Sequence, residues 1–144
     1  MEQESVKLER ATEAGTHDEN GLFGHQERVL RYWKGLLGLQ DWVIKLDINC
    51  RSQEMLLPDC VGATEWKECI KSARITILNP DEYGERIIPF DMEKTLVHEL
   101  LHLKFCLLGE SGNDFQDRYV HQLIDDMARA LVTARRDTVE EDDT

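Results

Sequence analysis

The chain has 144 residues, of which 41% are hydrophobic and 32% charged, and a formal net charge of −12 at pH 7. That length matches one domain and buries a core without disulfide or metal staples, so a metal site in it is free to do chemistry. The balance excludes collagen-like, mucin-like and wholly disordered chains, and no apolar run approaches the roughly 20 residues that cross a bilayer.

The acidic start MEQESVKLER lacks the basic-then-apolar layout of a secretory signal, so a cytoplasmic (intracellular) protein with no membrane attachment is expected. Residues 1–20 carry a net −4 and residues 137–144 a net −5, which leaves −3 between them. Without apolar periodicity, 1–21 and 137–144 are expected to be disordered acidic tails around a single domain at 22–136. No basic footprint marks a nucleic-acid partner. Cys50, Cys60, Cys69 and Cys106 form no C-x-x-C pair, which excludes a zinc ribbon and favours free thiols over a Cys60–Cys69 bridge.

Val29, Leu30, Trp33, Leu36 and Leu37 fall at helical spacing and predict a first helix over 25–37, stopped by Gly38. Trp42, Ile44, Leu46 and Ile48 then alternate with outward residues, the period of a half-buried strand. Two further strands are expected at about 63–70 and 73–78, with a turn near Lys71 and Ser72. Pro80, Gly84 and Pro89 break the chain into a loop over 79–90.

Asp91 can cap a helix running through DMEKTLVHELLHLKFCLL, with Glu93 in its first turn. That helix is apolar nearly all round, which marks it as central. Asn113 or Asp114 can cap a last helix, whose packing stripe is read as Val120, Leu123, Ile124, Met127, Leu131 and Ala134. The order of helix, three strands and two helices is α+β. Trp33, Trp42 and Trp66 are expected to pack helix against sheet.

The central helix carries His98-Glu99-Leu100-Leu101-His102, an H-E-x-x-H sequence. Histidines four apart share a helix side, so both imidazoles can reach one ion, while Glu99 flanks it, placed to take a proton from water. Two lone histidines are ordinarily surface or satisfied core groups, but this trio on a buried helix would be costly without a function. Phe105 and Leu108 exclude the extended H-E-x-x-H-x-x-G-x-x-H form and send the search for a third ligand to the last helix.

His121 lies nineteen residues after His102, far enough for the chain to return antiparallel, and is the leading third ligand. Asp125, Glu110 and Asp117 are the alternatives. Asp125, one turn beyond His121, is preferred as the carboxylate that accepts the other N–H of a zinc-binding histidine. His17 and His25 are expected to be ordinary exposed residues. Tyr83 is a minor candidate for an oxyanion donor.

Over roughly 22–136 this pattern resembles the gluzincin class of zinc metallopeptidases, in which H-E-x-x-H is followed on a later helix by E-x-x-x-D. Here the second part reads His121-Gln122-Leu123-Ile124-Asp125, with histidine in place of the acidic ligand. The chain is also similar to SprT-like and phage-encoded minimal metallopeptidases. The resemblance implies a zincin-like fold: an N-terminal helix, a small sheet of three or more strands, the motif helix and a C-terminal ligand helix. It also implies one Zn2+ per chain held by His98, His102 and His121, and hydrolysis of a peptide or protein substrate by zinc-activated water with Glu99 as general base. The competing expectation is a non-catalytic protein-binding module that keeps zinc as structure. A nucleic-acid-associated protease would need a basic surface that this chain lacks.

Overall fold

The computed structural model describes residues 22–57, 59–109 and 112–142. The expected N-terminal tail at 1–21, with His17, lies outside the described residues, as does Glu110.

Helix α1 spans Leu22–Leu36 and buries Val29, Leu30 and Trp33. Gly38 ends it as expected: its φ of 72° lets the Leu39 N–H turn back to the Lys34 carbonyl at 2.8 Å. Three strands follow, β1 (Val43–Cys50), β2 (Gly62–Lys67) and β3 (Ser72–Leu78). They form a mixed sheet in the order β1-β3-β2, with β1 parallel and β2 antiparallel to β3. The most apolar strand takes the centre, burying Ala73, Ile75 and Ile77. β2 ends at Lys67, earlier than expected, because a short 3-10 turn at Glu68–Ile70 and the left-handed Lys71 (φ 48°) close the hairpin.

Helix α2 spans Met92–Lys104 and is capped by Asp91, whose side chain accepts from the Lys94 N–H at 3.1 Å. It lies at the centre of the fold, with Leu96, Val97, Leu100, Leu101 and Leu103 all buried. Leu107 and Leu108, expected to continue it, instead sit exposed in a 3-10 turn at Cys106–Leu108. Helix α3 spans Asp114–Asp142, and the Asn113 side chain caps it by accepting from the Phe115 and Gln116 N–H groups.

Three expectations need correction. The buried ridge of α3 is Ile124, Ala128 and Val132, while Val120, Leu123 and Met127 face outward. A helix that crosses its neighbour buries one four-residue ridge rather than a broad stripe. Trp66 stands 39% exposed on the edge strand, whereas Trp33 and Trp42 are buried. The stretch 137–144 is not a disordered tail throughout, because α3 continues to Asp142. Once Arg135 and Arg136 are tied to Glu93 and Asp91 at the start of α2, each further residue adds a helical hydrogen bond at little cost.

The four cysteines are free, so no Cys60–Cys69 bridge forms. Among the described residues no helix is long and apolar enough to cross a membrane.

Candidate metal centre

His98 and His102 project from one side of α2, a turn apart, into a cleft of about 1500 Å³ between α2, β2 and the first half of α3. His121 enters from α3. The three rings stand in a near-equilateral triangle, with centroids 5.0, 4.9 and 5.3 Å apart, and one nitrogen from each lies within 4.8 Å of the others. This group could hold a metal ion. The Nε2 atoms of His98 and His102 are 3.2 Å apart. Two nitrogens bound at about 2.05 Å to one tetrahedrally coordinated ion would stand roughly 3.3 Å apart, so the spacing of this pair suits a shared metal ion.

Asp125 is not part of this triangle. Its Oδ1 lies 3.2 Å from His98 Nδ1, so the carboxylate accepts from Nδ1 and leaves the Nε2 lone pair facing the centre. The contact is made across the helix interface, with His98 on α2. Partial burial works to raise the Asp125 pKa, but Lys94, His98 and Arg129 together hold it below the ordinary value.

Burial also favours the neutral imidazole at His98 and His102. The His98 pKa is lowered by desolvation and by the neighbouring His121, against the pull of Asp125. That of His102 is pushed down to about 4 by desolvation, then by His98 and His121. Neutral imidazole is the form that binds a metal.

Glu99 is only 5% exposed. Desolvation raises its pKa to about 7, against a hydrogen bond from the Thr64 hydroxyl to Oε1 at 3.0 Å. Thr64 was not singled out by sequence reasoning, and neither was Gly62. A Cβ at Gly62 would lie 2.7 Å from Thr95 Cγ2 and 3.2 Å from Glu99 Cγ, so only glycine lets β2 approach α2 this closely. Glycine at the head of an otherwise regular strand was the signal available for it.

Other candidates are outside the three-histidine group. Asp117 lines the cleft but is outside the three-histidine group. Tyr83 spends its hydroxyl on the Ile88 carbonyl and stacks edge-on against Phe90. His25 is exposed on α1. No family model, curated protein or solved structure matches this chain.

Proposed function

We propose that the chain is a zinc-dependent metallopeptidase that hydrolyses peptide bonds with Glu99 as general base. The observation that carries this reading is the convergence of His98, His102 and His121 in a cleft whose wall also holds the buried Glu99. Three protein ligands are the number found in catalytic zinc sites, whereas structural sites use four. Zinc bound there would supply Lewis acidity, bringing the pKa of water toward about 7 and polarising a carbonyl oxygen.

The chain's own residues do the remaining work. Asp125 holds the His98 ring in the ligating tautomer. Glu99 takes a proton from water and returns it to the leaving amine, and a carboxyl with a pKa of about 7 suits both steps near neutrality. Thr64 fixes one of its oxygens. β2 is the sheet edge beside the centre, where an extended substrate can add by main-chain hydrogen bonds. The four free thiols suit a reducing, intracellular setting.

A binding module that held zinc only as structure would gain nothing from a buried carboxyl beside the ligands, and would still bear its desolvation cost. The test is cleavage of a broad peptide library by the zinc-loaded full chain. Glu99→Gln should lose about 100-fold or more in rate while keeping its zinc. No cleavage by the wild-type chain, or full activity in Glu99→Gln, would refute the proposal.

A further inference from the structure

The walls of the cleft carry features that the histidines and Glu99 do not use. Leu56 and Leu57 come from the segment before β2, Ile88 from the segment before α2, and Leu108, Phe115 and Tyr119 from around the start of α3. Each is more than half exposed and each lines the cleft. Apolar residues scattered singly over a surface are ordinary, but a set drawn from three separate stretches around one concavity marks a binding surface.

The charge around that concavity is one-sided. Among the described residues, Lys94 is the one Lys or Arg side chain lining the cleft, and it is engaged with Asp125. Asp59, just ahead of β2, and Glu68, just beyond it, line the same cleft and are exposed. Glu68 accepts a hydrogen bond from the neutral Trp66 indole. Neither carboxylate has a cationic partner among the described residues. They bracket a six-residue strand, a run of about 20 Å.

Resting on the hydrolase reading, we infer that the substrate is an extended polypeptide segment whose bulky aliphatic or aromatic side chains are flanked by lysine or arginine. The apolar side chains contact the Leu56–Leu57, Ile88 and Phe115–Tyr119 walls, and the flanking cations meet Asp59 and Glu68. A lipid surface is the other class of partner that exposed apolar tips serve. A net charge of −12 and carboxylates on the rim oppose the anionic headgroups that help to hold such tips.

The test measures binding and cleavage separately. Fluorescein-labelled peptides of about twelve residues are titrated by anisotropy into zinc-loaded Glu99→Gln full chain, which leaves the peptide intact. One has a Leu/Phe core with Lys flanks, the second the same core with Glu flanks, and the third a Ser core with Lys flanks. The first should bind about tenfold tighter than the second, since two ion pairs replace two like-charge contacts, and about tenfold tighter than the third, which has no apolar side chains to bury against the walls. The charge preference should shrink between about 0.1 and 1 M salt, where the Debye length falls from about 10 to 3 Å.

Asp59→Asn with Glu68→Gln should abolish the preference for Lys over Glu flanks, and Phe115→Ser with Tyr119→Ser the preference for the apolar core. All four positions are exposed, so circular dichroism should show an unchanged fold. Equal binding of the three peptides, or sedimentation with phosphatidylserine vesicles in place of peptide binding, would overturn the inference. Discrimination by Glu99→Gln with no cleavage of the favoured peptide by the wild-type chain would uphold the recognition and overturn the hydrolase reading. Cleavage without discrimination would overturn the recognition alone.

Discussion

Gly62→Ala probes the contact that places Glu99. The new Cβ would sit 2.7 Å from Thr95 Cγ2 and 3.2 Å from Glu99 Cγ, so β2 or α2 must move by several tenths of an ångström. Overpacking of this kind costs about 1–3 kcal/mol, which for a domain of this size lowers Tm by roughly 3–12 °C. Most of the clash comes from one methyl group. Thr95→Ser removes that methyl and keeps the hydroxyl that donates to the Asp91 carbonyl at 2.9 Å. In a double-mutant cycle read by thermal and urea unfolding, Thr95→Ser should therefore recover part of the loss caused by Gly62→Ala, giving a coupling of about 0.5 kcal/mol or more. Full recovery is not expected, because Glu99 Cγ remains close. A neutral Gly62→Ala, or strictly additive losses in the double variant, would refute the close-packing argument.

Arg136 forms a two-pronged pair with Asp91 at 2.8 and 3.0 Å, tying the far part of α3 to the cap of α2. Partial burial works to raise the Asp91 pKa, but the Arg136 guanidinium and the Lys94 N–H hold it below its ordinary 3.8. The pair's stabilisation is thus present above that value and lost as pH falls through the lower folded one. Because the Arg136 side chain is half exposed, Arg136→Ala should cost only about 1 kcal/mol at pH 7. Urea midpoints of variant and wild type should converge near pH 2, and an undiminished gap there would assign the loss to packing. Asp125→Asn should weaken zinc binding about 10- to 100-fold by calorimetry, through the His98 ring it orients. An unchanged affinity would remove Asp125 from the support of the centre.

The local features were legible in the sequence because their causes are local. Gly38 and the Asp91 cap depend on neighbours within a few residues. The His98–His102 pair depends only on the rise and turn of one helix. The approach of His121 followed from chain length and from Phe105 and Leu108, which closed the nearer alternative. Features set by long-range packing were not legible. The sheet order, which leaves β2 at the edge beside α2, depends on pairing between strands far apart in the chain. Thr64 reaches Glu99 only because of that order. The outward turn of Val120, Leu123 and Met127 depends on how α3 crosses α2, and apolar periodicity alone does not encode a crossing. Charge, read as a sign of disorder at 137–144, concealed a helix anchored by Arg135 and Arg136.

The central claim is that three histidines from two helices form one metal centre, and metal analysis of the purified chain tests it most directly. Wild-type protein reconstituted with zinc and passed over a desalting column should retain about one ion per chain. His98→Ala, His102→Ala and His121→Ala should each lose most of it, with the fold preserved by circular dichroism. Loss in the first two but full retention in His121→Ala would contradict the three-histidine centre, and full retention in all three would remove the metal site altogether.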